Sequence, residues 1–200
     1  MEKSFWETRY REAGFAYGTE PNAFLVAQQA RFTPGQKVLL IGEGEGRNGV
    51  WLARQGLEVT AVDQSQTGLA KARQLAAEAG VSLQTVCADL ARWQWPVAEY
   101  DFVVSIFVHF PPEQRRPIHR ACLSALKPGG TLILEGFTPE QLAYPSGGPP
   151  IEAMLFTEAQ LREDFADADI ELLESLETRL AEGQYHQGTA AVVRLIALRR

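Results

Sequence analysis

The 200-residue sequence contains few cysteines and no long apolar run, and each absence excludes a class of protein. Its two cysteines, Cys87 and Cys122, form no CxxC pair, which is typical of a reduced compartment and gives no disulfide framework. No apolar run is long enough to span a membrane, and the first residues lack the apolar core of a signal peptide. We therefore expect a soluble, cytoplasmic protein with no membrane partner.

Positive charge is also scarce. There are 19 Lys and Arg against 25 Asp and Glu, a net charge of -6, so we expect no nucleic-acid partner, because nucleic acids present a negative surface. The three histidines and two cysteines lack metal-ligand spacing, and we predict no metal. A hydrophobic fraction of 46% is ordinary for a globular chain. We expect a single domain over residues 1–200, as a monomer or homodimer.

Short apolar runs alternate with helical patterns, which predicts βαβ units and a mostly parallel sheet. The chain closes with two long strand-like runs that we interpret as an antiparallel pair joined by residues 183–188. The sequence thus predicts an α/β, Rossmann-like fold with a seven-stranded, mostly parallel sheet, an antiparallel last strand and helices on both faces. The predicted strands are residues 37–41, 58–62, 83–86, 100–107, 131–136, 170–180 and 190–198, and the predicted helices of the core are 47–55, 65–80 and 111–126.

Two segments lie outside this alternating pattern. Residues 1–30 are predicted to form a helical cap. Residues 138–150 are too rich in proline and glycine for a regular element, and a loop of this length within a compact domain is typical of a lid or binding loop. We expect this loop on the substrate side.

A glycine loop follows the first predicted strand. It reads Gly42-Glu43-Gly44-Glu45-Gly46, and Asp63 ends the second strand 21 positions after Gly42. Glycines permit a tight turn and a close approach of backbone to a ligand, and an acid at the second strand end is placed to accept hydrogen bonds from ribose hydroxyls. The alternative interpretation is a tight turn followed by a solvated aspartate.

The order of residues in this loop bears on the ligand. A dinucleotide site usually reads GxGxxG, whereas this loop reads GxGxG and interleaves Glu43 and Glu45. Two carboxylates would repel a pyrophosphate but tolerate a ligand that carries a sulfonium and an ammonium group. The pattern therefore favours S-adenosylmethionine as the cofactor.

The segment from Val38 to Ser65 resembles the first two motifs of class I S-adenosylmethionine-dependent methyltransferases. Residues 88–90, 100–105 and 126–132 resemble later motifs of the same class, so the resemblance covers nearly the whole chain. Residues 15–22 and 42–48 resemble the tellurite-resistance and thiopurine-methyltransferase-like branch. One departure is Leu40, where many members of the class carry an acid two residues before the first glycine.

The resemblance implies a set of cofactor-binding residues. The glycine loop would pass beneath the methionine and ribose, Asp63 would hold the ribose, and Asp89 would face the adenine amino group. Arg47 would meet the cofactor carboxylate or an anionic substrate, with a solvated arginine as the alternative. Tyr17 would cover the cofactor, Gln64 and Ser65 would lie beside the adenine, and Phe107 would line the methionine side. The whole set is Tyr17, Gly42, Glu43, Gly44, Gly46, Arg47, Asn48, Asp63, Gln64, Ser65, Asp89, Leu90 and Phe107.

Substrate groups in this fold commonly follow the fourth strand, where the chain reads Phe107-Val108-His109-Phe110-Pro111-Pro112. This segment lacks the Asn/Asp-Pro-Pro-aromatic motif of methylases that act on nucleobases. His109 is the predicted catalytic residue, as a general base or an orienting group, and a histidine bonded to backbone is the alternative. We place His119 on a solvated helix face and His186 at a turn tip, and we expect both cysteines to be buried.

These features predict methyl transfer to a small molecule by in-line displacement, in which the enzyme aligns the nucleophile and excludes water. The resemblance favours a thiol or a metalloid oxyanion as acceptor. Two alternatives remain: a module that binds S-adenosylmethionine without turnover, and an NAD-dependent oxidoreductase. The GxGxG order, the antiparallel strand pair and the absence of a Tyr-x-x-x-Lys pair disfavour the oxidoreductase.

Overall fold

The computed structural model describes residues 2–200 and contains a single seven-stranded sheet. The strands are β1 Lys37–Ile41, β2 Glu58–Asp63, β3 Gln84–Cys87, β4 Tyr100–Ile106, β5 Leu126–Phe137, β6 Ala168–Glu182 and β7 His186–Arg199. The α-helices are α1 Lys3–Arg11, α2 Ala23–Val26, α3 Arg47–Arg54, α4 Gln66–Glu78, α5 Pro112–Ala125 and α6 Glu158–Asp164. Short 3₁₀ helices span Gln29–Arg31, Pro139–Ala143 and Glu152–Met154. The prediction of no regular element in residues 138–150 is therefore wrong at Pro139–Ala143, because a proline is tolerated in the first turn of a helix.

The strand order is β3-β2-β1-β4-β5-β7-β6. Strands β1 to β5 pair in parallel, and β7 runs antiparallel to both of its neighbours, β5 and β6. The predicted fold class is therefore confirmed. Because the order reverses at β1, where the chain goes outward to β2 on one side and β4 on the other, the carboxyl ends of β1 and β4 flank a crevice suited to a ligand.

The central strand β1 is apolar on both faces, as expected for a parallel strand covered on both sides. Val38 and Leu40 pack with Phe24 and Leu25 of α2 and Leu52 of α3. The alternate residues Leu39 and Ile41 belong to a second cluster, to which α5 and α6 contribute Ile118, Cys122 and Leu161. Helices therefore lie on both faces of the sheet.

The largest differences between the predicted and the observed strand ends lie at the β6–β7 hairpin and at the start of β5. The hairpin between β6 and β7 consists of residues 183–185, because pairing continues to Glu182 and His186 instead of stopping at the predicted loop 183–188. Strand β5 begins at Leu126, and the register between β4 and β5 shifts between Tyr100 and Phe102, so the predicted turn at 127–130 lies within the strand as an irregularity.

Phe107 directly follows β4 and has a φ of 55°. This left-handed conformation is uncommon for a bulky residue and often occurs at functional sites. It ends β4 and directs the chain across the carboxyl end of the sheet. None of the helices within residues 2–200 has the length and apolar character needed to span a membrane.

Candidate active site

A cavity of about 1120 Å³ opens at the carboxyl ends of the parallel strands. Its wall includes Gly42 after β1, Asp63 at the end of β2, Phe107 after β4 and Phe137 at the end of β5. Pockets for single small ligands usually measure about 300–1,000 Å³, so this cavity has room for a cofactor and a second small molecule.

The glycine loop is shaped by packing against the protein as well as by the cavity. Gly44 has a φ of 62°, and a Cβ there would lie 2.5 Å from the hydroxyl of Tyr10. Gly46 has a φ of 95°, and a Cβ there would lie 2.7 Å from Ala72. Of the three glycines, Gly42 alone lines the cavity, so Gly44 and Gly46 support the loop from behind.

Glu43 and Glu45 direct hydrogen-bonding oxygens toward the protein. Glu43 Oε1 accepts from the Gly49 N–H at 2.6 Å, in the first turn of α3, where the helix dipole favours an anion. Glu45 accepts from the Ala16 N–H at 2.7 Å and pairs with Lys71 at 2.8 Å. Burial raises the pKa of Glu43 to about 7. Both side chains line the cavity. Because their oxygens are already paired within the protein, their negative charge argues against a pyrophosphate less strongly than the sequence suggested.

Asp63 lies at the cavity wall with 6% of its surface exposed. Its two carboxylate oxygens accept from the N–H groups of Gly44 and Ser65, each at 2.8 Å. Burial raises the pKa of Asp63 to about 6. The Ser65 hydroxyl caps α4 by accepting from the Gly68 N–H at 3.1 Å, and Ser65 is fully buried behind the wall, so its predicted position beside the adenine is not supported.

The end of β3 forms the neighbouring wall. Asp89 and Leu90 line the cavity together with Cys87. Cys87 is exposed, so its predicted burial is wrong: β3 is an edge strand with partly exposed residues, and the thiol is not covered. Cys122 is buried as predicted, and burial raises the pKa of its thiol.

Arg47 is buried and lines the cavity, which excludes the solvated alternative. Its Nη2 pairs with Glu182 at 2.9 Å, while its Nη1 has no hydrogen-bond partner in the part of the chain that the structure describes. Asn48 accepts from the Asn22 N–H at 2.9 Å. A buried guanidinium N–H without a partner calls for an acceptor, and a ligand in the cavity would supply one.

His109 contacts backbone through both ring nitrogens. Its Nδ1 lies 2.8 Å from the Met154 carbonyl oxygen, and its Nε2 accepts from the Phe137 N–H at 3.1 Å. Burial lowers the pKa of His109 to about 4, so the ring is neutral with its proton on Nδ1. The predicted general-base role is therefore not supported, because the Nε2 lone pair is already used, and the backbone-bonded alternative describes this residue.

Sequence reasoning missed that His186 lies in the cavity wall and that Glu182 is its partner. His186 is not at a turn tip: it begins β7, is 5% exposed and lines the cavity. Its Nδ1 lies 3.2 Å from Glu182 Oε2, and its ring centroid lies 4.5 Å from that of Tyr17. The sequence feature that could have revealed this pair is an acid and a histidine on either side of the short turn that begins at Gly183.

His119 is also buried, with 1% of its surface exposed, and the predicted solvated position is wrong. Its Nδ1 lies 2.8 Å from Asp164 of α6, outside the cavity. Within residues 2–200, no cluster of His, Cys, Asp and Glu has the geometry to hold a metal ion.

The structure brings most predicted cofactor residues to one cavity. Three of them, Gly44, Gly46 and Ser65, lie outside its lining and shape the loop and helix behind it. The residues that line the cavity are Tyr17, Gly42, Glu43, Arg47, Asn48, Asp63, Gln64, Asp89, Leu90 and Phe107.

Residues 38–130 match the sequence model of a family described as a methyltransferase domain. A ubiquinone biosynthesis O-methyltransferase of Erwinia tasmaniensis is 36% identical over 113 residues, which cover 54% of this chain and 45% of that protein. The chain thus matches less than half the length of this relative. Seven further matching relatives carry the same description.

Solved structures of similar fold cover almost the whole chain. The structure reported for the conversion of a disulfide bond into a thioacetal group during echinomycin biosynthesis has a TM-score of 0.82 and 20% identity, and the match covers 98% of this chain and 91% of that one. TehB from Haemophilus influenzae has a TM-score of 0.71 and 20% identity, and the match covers 99% of this chain and 67% of that one.

A third solved structure contains a bound ligand. Magnesium protoporphyrin IX methyltransferase from Synechocystis PCC 6803 with bound SAH has a TM-score of 0.67 and 25% identity, and the match covers 89% of this chain and 79% of that one. Residues 38–130 are thus similar in sequence to methyltransferase domains, and the fold of the chain is similar to that of a methyltransferase with bound SAH.

Proposed function

We propose that the protein transfers a methyl group from S-adenosylmethionine to a small-molecule acceptor. The observation that supports this most directly is one cavity of about 1120 Å³, in which a polar wall adjoins an aromatic wall. The polar wall contains Asp63 and Arg47, and the aromatic wall contains Phe107 and Phe137. One cavity can therefore place a charged nucleotide-like ligand and a second molecule side by side.

The polar wall fits the cofactor. In the proposed arrangement Asp63 accepts from the ribose hydroxyls, Asp89 faces the adenine amino group, and Leu90 packs against the adenine ring. Arg47 Nη1, which has no partner within residues 2–200, donates to the cofactor carboxylate. When bound, S-adenosylmethionine supplies an electrophilic methyl group on a sulfonium.

The aromatic wall fits the acceptor and excludes water. Phe107 stacks on Phe137 with ring centroids 4.5 Å apart, and residues 147–151 and α1 also line the cavity. Exclusion of water favours attack by the acceptor over side reactions, and alignment of the acceptor converts the reaction to an effectively unimolecular step.

A small acceptor agrees with the relatives named as ubiquinone biosynthesis O-methyltransferases. Within that class we favour a thiol or a metalloid oxyanion. The fold similarity to TehB and to the protein of echinomycin biosynthesis, whose reported reaction concerns sulfur, supports this choice by analogy of fold.

A module that binds the cofactor without turnover is the second candidate function. The bonding of both His109 nitrogens to backbone favours it, because the predicted base is unavailable. Thiolates and selenite need no base, however, so this observation alone does not remove catalysis.

The experiment is transfer of label from methyl-labelled S-adenosylmethionine to a panel of thiols, phenols and selenite. We expect labelled product with at least one thiol or selenite and stoichiometric S-adenosylhomocysteine. Binding of the cofactor with no transfer to any member of the panel would contradict methyltransferase activity and support the binding module.

A further inference from the structure

The hairpin between β6 and β7 brings an acid and a histidine face to face. Glu182 and His186 are directly opposite each other in the antiparallel register, with only residues 183–185 between them. Cross-strand neighbours at such a position are close enough for their side chains to interact. The Nδ1 of His186 lies 3.2 Å from Glu182 Oε2.

The contact with Glu182 determines which nitrogen of His186 carries the proton. Although burial acts in the opposite direction, the neighbouring His186 and Arg47 hold the pKa of Glu182 at about 2, so this carboxylate is ionised and acts only as an acceptor. His186 therefore donates from Nδ1, and the lone pair of the neutral ring is on Nε2. Nε2 has no hydrogen-bond partner within residues 2–200, and the residue lines the cavity.

Glu182 is held in place by a buried polar network. Its Oε1 accepts from Asn22 Nδ2 at 3.0 Å, and its Oε2 accepts from Arg47 Nη2 at 2.9 Å. The same Asn22 amide donates to Glu135 at 2.6 Å, and Glu135 pairs with Arg194 at 2.7 Å. The carboxylate that orients His186 is thus held by Asn22 at the start of α2 and by Arg47 of α3, and Asn22 is in turn held by Glu135 of β5.

Five ionisable groups face His186 from the elements packed around it. Glu182 favours the charged imidazole, whereas Arg47 of α3 and Arg9 of α1 disfavour it. Tyr17 packs against the ring, and His109 lies close enough to interact electrostatically. Burial is the largest effect and lowers the pKa of His186, so the neutral form predominates at pH 7.

Glycine occurs where the segment between β5 and α6 passes the edge of this imidazole. Gly147 lines the cavity with a φ of 125°, and a Cβ there would lie 3.0 Å from His186 Nε2 and 2.5 Å from its Cδ2. A side chain at residue 147 would therefore cover the nitrogen that Glu182 leaves free.

We propose that His186 is the general base for the acceptor and that Glu182 is the residue that positions it. This inference rests on the proposed methyl transfer. As the acceptor S–H or O–H loses its proton to Nε2, the acceptor atom bonds to the methyl carbon. The carbon–sulfur bond of the sulfonium breaks, and its electron pair stays on sulfur as a neutral thioether. The positive charge moves to the imidazolium, beside the Glu182 carboxylate.

The test compares His186→Gln with His119→Gln. Both are buried histidines with a carboxylate partner, but His119 pairs with Asp164 away from the cavity. Methyl transfer is measured with two acceptor pairs, thiophenol with benzyl mercaptan and 4-nitrophenol with phenol, in which the first member ionises more readily. General-base catalysis contributes about 100-fold or more to rate.

We expect His186→Gln to lower kcat about 100-fold with benzyl mercaptan or phenol. With the more acidic acceptors, thiophenol and 4-nitrophenol, kcat should fall less than about tenfold. The KM for S-adenosylmethionine should not change. His119→Gln, assayed per folded molecule, should keep the wild-type ratio of kcat between the two members of each acceptor pair. Glu182→Gln keeps an acceptor for Nδ1 but removes a charge, so the pH profile of kcat should move to lower pH.

A second measurement does not depend on the acceptor. In ¹⁵N-histidine NMR spectra, assigned with His186→Gln, we expect Nε2 of His186 to be unprotonated at pH 7. A proton on Nε2 at pH 7, or equal losses with both members of an acceptor pair, overturns the role of His186 alone. Transfer to no acceptor by the wild type overturns the methyltransferase proposal, and the base with it.

Discussion

Two buried carboxyl groups, Glu43 in the glycine loop and Asp63 beside it, make the ligand-free protein sensitive to pH. Burial raises the pKa of Glu43 to about 7 and that of Asp63 to about 6, both above the ordinary values of 4.5 and 3.8. At pH values between the ordinary and the raised pKa of each group, the folded state binds more protons than the unfolded state. The free energy of unfolding therefore decreases as the pH rises through this range. The effect is complete above about pH 8 for Glu43.

Glu43→Gln isolates this effect. The amide oxygen can still accept from the Gly49 N–H, but the buried group no longer ionises. We expect the variant to match the wild type at pH 5 and to exceed its free energy of unfolding by about 1–3 kcal/mol at pH 8. Urea unfolding of the ligand-free protein between pH 5 and 8 measures this.

The control is Glu58→Gln, an exposed glutamate at the start of β2. It shows what the same substitution does at the protein surface. A Glu43→Gln stability curve that runs parallel to that of the wild type at every pH would contradict the account of this carboxyl.

At the scale of elements, α1 covers the glycine loop through Tyr10. Tyr10 is buried against Gly44 and against Gly68 of α4, and Lys71 of α4 donates to the Glu12 carbonyl at 2.8 Å. α1 also lines the cavity. Docking of this helix on α4 therefore completes the wall over the predicted cofactor position.

Gly68→Ala tests this docking. Alanine favours a helix over glycine by about 1 kcal/mol, but a Cβ at residue 68 would lie 2.8 Å from the Tyr10 ring. We expect Gly68→Ala to destabilise the wild type and to weaken cofactor binding. In a Tyr10→Ala background Gly68→Ala should cost less than in the wild type, although the Gly44 carbonyl oxygen would still lie 3.1 Å from the added Cβ. A double-mutant cycle in urea should give a coupling of about 0.5–3 kcal/mol. An equal cost of Gly68→Ala in both backgrounds would argue against α1 packing on this glycine.

At the scale of the whole molecule, the cavity joins parts of the chain that are far apart in sequence. The Gln184 N–H of the β6–β7 hairpin donates to the Ala16 carbonyl at 3.1 Å, so the N-terminal segment and the hairpin meet at the cavity. The family match over residues 38–130 includes Asp63 and Asp89 but not Tyr17, Phe137 or His186. In our account the cofactor wall lies largely within the shared domain, whereas part of the acceptor wall is contributed from outside it.

This division explains what the sequence could predict. β1, β2 and β4 are short apolar runs between turn residues, and Asp63 lies at the end of β2, so local pattern was sufficient to predict these strands and Asp63 of the polar wall. His186 depends on the register that pairs it with Glu182 and on contact with Tyr17, about 170 residues away along the chain. His109 looked catalytic because the sequence does not reveal that Met154 and Phe137 bind its nitrogens.

The most direct measurement of the central claim is calorimetric titration of the folded chain with S-adenosylmethionine, for the wild type and Asp63→Asn. The substituted asparagine would keep the shape of the side chain but lose its negative charge, and hydrogen bonds to charged groups contribute about 1.5–3 kcal/mol. We predict binding by the wild type, about 10- to 100-fold weaker binding by the variant, and no competition by NADH. Wild-type protein that is folded but does not bind S-adenosylmethionine, or equal affinity in the variant, would contradict the account.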